Sequence, residues 1–390
     1  MPAQPHTPRI AYFPDSFHEV NGVAHTSRNF VAFARRRGIP MLCVRAGQKT
    51  QLCPPDGSVQ ALELGRSPLA VQMEKDLSFD PLFFRYSGLI SSTVRDFQPD
   101  VIHITGPSEL GIFGAYFAWQ LGIPLVASWH TNVHEYAARR MLWLSRHLGP
   151  VGGKLECGVE AFVLDAISRF YRLAKVLYAP NPELCALLER TTDRPCHLMQ
   201  RGVETAIFTP SKRTRSVDDG QIFLGYVGRL SVEKNVALLP TIDKQLRTRG
   251  ITPKWFIVGH GAEEALLRRE LPTAKLVGVL RGEALAQAYA NMDLLVFPSH
   301  TDTFGNVVLE ALASGVPAIV TPDGGPAHII STGTTLDAFT GRVARDEDFA
   351  AAIASVLSHS DTFAAMRLAA RQYALHCSWD AVFERVIAAY

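Results

Sequence analysis

A rhythm constrains this chain more than any single residue does. Short apolar runs closed by turn residues alternate with longer stretches of helical periodicity. "RIAYF" (Arg9–Phe13), "MLCVRA" (Met41–Ala46), "DVIHIT" (Asp100–Thr105), "PLVASWH" (Pro124–His130), "KVLYAP" (Lys175–Pro180) and "HLMQRGV" (His197–Val203) read as strands buried on both faces, which belong to parallel sheets. The helical segments between them supply the crossovers that parallel strands need. "AHTSRNFVAFARRRG" closes on Arg35, Arg36, Arg37 and Gly38, cations against the negative end of a helix and a glycine for its cap. The polar segment "TPSKRTRSVDDGQ" (Thr209–Gln221) interrupts the rhythm and reads as an interdomain linker. "IFLGYVG" (Ile222–Gly228), "KWFIVG" (Lys254–Gly259), "AKLVGVL" (Ala274–Leu280), "DLLVFPS" (Asp293–Ser299) and "PAIVTP" (Pro317–Pro322) then read as five more strands. The expected fold is α/β: two doubly wound domains facing a cleft, with ligands at the C-terminal strand ends.

Length agrees, since 390 residues exceed one ordinary core and suggest about two domains. A net charge of +2 with scattered Lys and Arg argues against a nucleic-acid partner. The six cysteines are dispersed without CxxC spacing, as expected of reduced cytosolic thiols rather than a zinc or redox site. "MPAQPHTPRIAYFPDS" lacks the pattern of a signal peptide, so a cytoplasmic protein is expected. The apolar run from Leu110 to Trp129 is broken by Gln120, Gly122 and Pro124, and reads as a buried helix, a turn and a strand rather than a membrane span.

Residues suited to chemistry gather in the second half. "GYVGRLSVEKN" sets Arg229 and Lys234 just beyond a strand, where two cations can meet a diphosphate, though without the spacing of a P-loop. In "FPSHTDTFGNVVLEALASGVPA" a helix is expected to begin near Gly305 or Asn306, and its first amides favour an anion. Asp302 precedes that helix and Glu310 lies inside it. An ionised carboxylate accepts hydrogen bonds on both oxygens, so each can hold a pair of hydroxyls. The plain alternative is a solvated Arg and Lys, with Asp302 a helix cap and Glu310 a surface residue. His130 and His134 stand four residues apart, as a metal pair on a helix would, but neither a third ligand nor an HExxH or DxD pattern accompanies them. No metal or other cofactor is expected to be required.

These stretches carry a resemblance. "GYVGRLSVEKN", "FIVGHGAEE", "ANMDLLVFPSHTDTFGNVVLEALASGVPAIV" and "DGGPAHII" follow one another as in the retaining glycosyltransferases of family 4, and "FPDSFHEVNGVAHTSRNFVAFARRRG", "SWHTN" and "QRGVETAIFTP" match that family's first half in the same order. The resemblance implies the GT-B fold: a Rossmann-like acceptor-side domain over residues 1–207, a nucleotide-sugar-binding domain over 208–373, and a final helix (374–390) that crosses back to the first. It implies that Arg229 and Lys234 bind the donor diphosphate and stabilise charge on the leaving nucleotide. Glu310 would hold the ribose diol, Asp302 the transferred sugar, and the amides of Phe304, Gly305, Asn306 and Val307 the sugar or its phosphates. Gly22 and Val23 would bring backbone to the diphosphate, and His130 would bond the donor sugar. The chain departs from the family in having Asp302 and His328 where Glu is usual.

The implied activity is retaining transfer of a hexose from GDP-mannose or a UDP-hexose to a hydroxyl of a lipid or glycan, the leaving phosphate taking the hydroxyl proton. "HEYAARRMLWLSRHLG" puts Arg139, Trp143 and Arg146 on one helical face beside an apolar stripe, a candidate contact with an acceptor or anionic membrane on the inner face of the cell membrane. Two other functions fit the same fold: a nucleotide-sugar epimerase, which needs further acid and base residues in the cleft, and a non-catalytic nucleotide-sugar-binding protein.

Overall fold

The computed structural model describes residues 7–19, 22–74, 77–80, 82–129, 164–216, 219–302, 304–333 and 339–390. They form two compact units, Met1–Gln200 with Val382–Tyr390, and Arg201–Ala381.

The first unit is built on an eight-stranded sheet. Its strands are β1 (Ile10–Phe13), β2 (Met41–Gly47), β3 (Gln51–Leu52), β4 (Val59–Gly65), β7 (Val101–Ile104), β8 (Leu125–Ser128), β9 (Val176–Ala179) and β10 (Cys196–Leu198), in the order β10-β9-β8-β7-β1-β2-β4-β3. Only the edge strand β3 runs antiparallel, on β4. A separate antiparallel pair joins β5 (Val71–Glu74) to β6 (Leu77–Phe79). Every residue of β1, β7 and β8 is buried, which is why these strands show no polar alternation. Each fully buried Ile, Leu or Phe contributes about 1.5–3 kcal/mol through removal from water. The apolar run from Leu110 forms most of the Glu109–Leu121 helix, left-handed Gly122 and β8, and no described helix is long and apolar enough to cross a membrane. The end of the chain docks on this unit: Phe383 stacks on Phe30 with ring centroids 4.7 Å apart, and the Tyr178 hydroxyl donates to the Val386 carbonyl at 2.7 Å.

The second unit carries a six-stranded parallel sheet of β11 (Phe223–Val227), β12 (Lys254–Val258), β13 (Lys275–Leu276), β14 (Leu294–Phe297), β15 (Ala318–Val320) and β16 (Gly341–Val343), ordered β13-β12-β11-β14-β15-β16. The chain winds outward from β11 to β13, returns to β14 and winds the other way. The crevice between β11 and β14 is therefore the topological switch point, where such sheets bind ligands.

One expectation is corrected. Thr209–Gln221 is not a free linker, because its basic residues fasten it to the second sheet. Arg213 and Arg215 each donate to Asp293, at 2.7 Å in both cases, and Asp293 stands just before β14.

Candidate functional site

The second unit's switch point is formed by two loops. Beyond β11, Gly228 leads into Arg229 and a short turn, Val232–Lys234; beyond β14, Pro298–Asp302 leads to the Asn306–Ala313 helix. The Lys234 ammonium donates to Asp302 Oδ2 at 2.8 Å, and both side chains are about one-fifth exposed (21% and 22%). Asp302 Oδ1 accepts from the amides of Gly305 at 2.8 Å and Phe304 at 3.4 Å. Burial pushes the Asp302 carboxyl up, but the Lys234 ammonium and these amides outweigh it and hold the group below the usual carboxylate range.

The carboxylate thus lies against the amides of Phe304 and Gly305, the pair that the resemblance gives to the donor sugar or its phosphates. Both bonds close a turn just ahead of the helix, and the carboxylate reaches no amide of the Asn306–Ala313 helix itself. Asn306 and Val307 follow in the first helical turn, where amides have no intrahelical acceptor. The helix begins at Asn306, after a left-handed Gly305.

A second helix start meets the same residue. The Gly325 amide donates to the Asp302 carbonyl at 3.0 Å, and Gly324 precedes it with φ +68°. A Cβ on Gly324 would stand 2.4 Å from that carbonyl, so only glycine lets the Gly324–Thr332 helix approach. Gly324→Ala is expected to cost about 1–3 kcal/mol of stability in urea melts. His328 lies in this helix, with a buried Nε2 that has no hydrogen-bond partner among the described residues.

Arg229 and Lys234 differ in setting. Arg229 is 73% exposed and pairs loosely with Glu233 at 3.6 Å. Glu310 accepts from the buried Tyr289 hydroxyl at 2.8 Å. Burial pushes its carboxyl up to about 7, the Tyr289 bond offsetting part of the effect. A carboxyl raised this far can meet hydroxyls as an acceptor when ionised or as a donor when protonated.

The sequence reading passed over Arg201, at the start of this unit. Its guanidinium lies 3.9 Å over the Phe304 ring. Burial pushes it down, and the neighbouring Asp302 acts in the opposite direction. The only signal was its place in the quoted "QRGV" run, and nothing local shows that a residue so distant in sequence stacks on Phe304.

In the first unit, Gly22 and Val23 open the Gly22–Arg37 helix and accept from Thr26 at 3.0 Å and Ser27 at 2.9 Å. That sheet's own switch point, between β1 and β7, holds a carboxyl the sequence reading also missed. Asp15 takes a hydrogen bond from the Ser108 hydroxyl, and its amide donates to Thr105 at 2.7 Å. Burial pushes the Asp15 carboxyl up to about 6. His130, His134, Arg139, Trp143 and Arg146 lie outside the described residues.

Comparison with known proteins decides the family. Residues 20–207 match the family described as Glycosyltransferase Family 4, and residues 208–373 match Glycosyl transferases group 1. A GDP-mannose-dependent alpha-mannosyltransferase of Mycolicibacterium smegmatis is 31% identical over 98% of this chain and 96% of its own length. The chain is a family 4 glycosyltransferase. This glycosyltransferase is also 28% identical to a sulfoquinovosyl transferase of Arabidopsis thaliana, over 83% of this chain and 61% of that one. Its fold is GT-B: a sucrose-phosphate synthase from Thermosynechococcus elongatus matches with a TM-score of 0.63 at 17% identity, over 98% of this chain and 100% of that one. The enzyme is a hexosyltransferase.

Proposed function

We propose that this glycosyltransferase moves mannose from GDP-mannose to a hydroxyl of a lipid or glycan acceptor, with retention of anomeric configuration. The observation that carries the donor choice is the likeness, along almost the whole chain, to a GDP-mannose-dependent alpha-mannosyltransferase.

The site supports the chemistry. The bond from the anomeric carbon to the diphosphate oxygen breaks as the acceptor oxygen attacks from the same face. The acceptor proton passes to the departing phosphate. Negative charge then grows on the nucleoside diphosphate, and cations held near it lower the barrier because they need not reorganise. Lys234 is the leading cation, and an incoming phosphate competes with Asp302 for its ammonium. Arg229 and Arg201 add positive charge, and the Asn306 and Val307 amides face the same developing anion. Released from part of that turn, Asp302 turns its carboxylate to the sugar hydroxyls, while Glu310 takes the ribose diol. Gly22 and Val23 bring backbone to the diphosphate, and His130 bonds the sugar. Neither a metal nor another cofactor has a role in this scheme, and a lipid acceptor would place the enzyme on the cytoplasmic face of the membrane.

A thermal-shift panel of GDP-mannose, UDP-glucose and UDP-galactose tests the donor. A ligand at a hundredfold excess over Kd adds about 2.7 kcal/mol to apparent stability, so GDP-mannose should raise Tm while the UDP-sugars leave it unchanged. Stabilisation by a UDP-sugar alone would overturn the donor choice. A β-linked product by NMR would overturn retention.

A further inference from the structure

His300 stands two residues before Asp302, where the donor-site reading gives it no task, yet both of its ring nitrogens meet carboxylates from other loops. Its Nδ1 lies 2.6 Å from Asp323 Oδ2, and its Nε2 lies 3.0 Å from Asp346 Oδ1. Asp346 in turn accepts from Asn235 Nδ2 at 3.0 Å on its other oxygen. Asn235 follows Lys234 directly, in a left-handed conformation. These four residues come from four loops: Asn235 beyond β11, His300 beyond β14, Asp323 beyond β15 and Asp346 beyond β16. The four strands are consecutive in the sheet.

With both carboxylates ionised, the imidazolium is the form of the ring that suits both contacts. A neutral imidazole donates from one nitrogen and accepts at the other, whereas two ionised carboxylates both need donors. The imidazolium donates to both. The Asp323 bond, followed by the Asp346 charge, pushes His300 above the ordinary imidazole range against some burial. Other charged groups on these loops are paired elsewhere: Lys234 with Asp302, Arg229 with Glu233, and Arg345 with Glu347 and Asp348. Two further bonds transmit the position of the His300 loop. The Thr301 hydroxyl donates to the Glu233 carbonyl at 3.1 Å, beside Lys234, and the buried Thr321 hydroxyl donates to the Ser299 carbonyl at 2.6 Å.

We infer that His300 is a positioning residue: as an imidazolium held between Asp323 and Asp346, it ties four adjacent strand ends together and so sets the distance between Lys234, Asp302 and the two helix starts that receive the donor diphosphate. When the ring loses its second proton, one carboxylate loses its donor and the β15 or β16 loop is released. Asp302 depends on the β15 loop through Gly325, and Lys234 on the β16 loop through Asn235. Diphosphate binding therefore weakens as pH rises past the His300 titration. The inference rests on the donor site proposed above.

The test is calorimetric titration of the full chain with GDP and with UDP, from mildly acid to alkaline pH. Wild type should bind one nucleotide with an alkaline loss of affinity. His300→Ala should raise its Kd about 10-fold below that limb, the size seen when outer-shell partners are removed, and should abolish the limb. His300→Arg, permanently charged and rich in donors, should recover affinity without restoring the limb. If His300→Ala does not fold, Asp346→Asn serves: with one anion gone, the limb should move to lower pH. A limb that survives in His300→Ala, or stays in place in Asp346→Asn, overturns the inference while leaving the donor site intact. Failure of wild type to bind either nucleotide overturns the donor site and this inference together.

Discussion

Lys234→Ala is expected to lower kcat for transfer from GDP-mannose by about 10²–10³-fold, the cost of removing one preorganised group from a developing anion. Arg229→Ala should cost far less, about 10-fold, because a side chain 73% exposed acts through water and is screened by salt. The contrast separates this site from a pair of equivalent clamps, and raising the ionic strength should widen it further by weakening Arg229 alone. One confounding effect follows from the structure. Without Lys234, the Asp302 carboxylate keeps only its two amide donors, and a half-buried charge that loses its partner distorts its surroundings. The double variant Lys234→Ala with Asp302→Asn removes that anion. If Lys234 acts on the leaving nucleotide, the double variant stays as slow as Lys234→Ala. Recovery of kcat to within about 10-fold of Asp302→Asn alone would show instead that Lys234 only neutralises Asp302.

The turn that Asp302 closes on Phe304 and Gly305 also explains the limits of the sequence. Each of the eleven apolar runs contains a strand, and in the central ones burial on both faces leaves a continuous signal; "HLMQRGV", expected to be buried on both faces, instead ends the edge strand Cys196–Leu198 with His197 and Leu198 exposed, and "AKLVGVL" yields only the edge pair Lys275–Leu276. Val59–Gly65 escaped: Gln60 and Glu63 interrupt its apolar residues, since it lies near the sheet edge with only short β3 beyond it. Gly341–Val343 escaped because three residues, one of them Arg342, carry too little pattern. Thr209–Gln221 has the composition of a linker, and only the fold reveals Asp293 waiting for its two arginines. The candidate site shows the same division. The residue types and the helix start near Gly305 were legible from spacing. The choice Asp302 makes between the amides of its own turn and a ligand was not, because both options use the same atoms. Arg201 and His300 owe their roles entirely to partners distant in sequence.

Glu310 offers the second large effect, in protons rather than in rate. Burial holds its carboxyl near 7, against about 4.3 in an unfolded chain, a difference on the order of 3 kcal/mol in the cost of ionising it. The folded state therefore binds more protons than the unfolded state between those values. The stability that Glu310 contributes is present below the unfolded value and is lost as pH rises through about 7. Glu310→Gln keeps an acceptor for the Tyr289 hydroxyl and carries no charge, so the variant should exceed wild type in urea-melt stability at alkaline pH. The two should converge in mild acid. Donor binding should act in the opposite direction. Two ribose hydroxyls donating to the carboxylate favour its ionised form, so GDP binding near neutral pH should drive a proton off Glu310, visible as a dependence of binding enthalpy on the buffer's heat of ionisation. Glu310→Gln should abolish that release and weaken GDP binding about 10-fold or more, since one of the two ribose hydroxyls then faces an amide donor. If wild type and Glu310→Gln show the same dependence of enthalpy on the buffer, Glu310 does not ionise when the nucleotide binds and is not the carboxylate that takes the ribose diol.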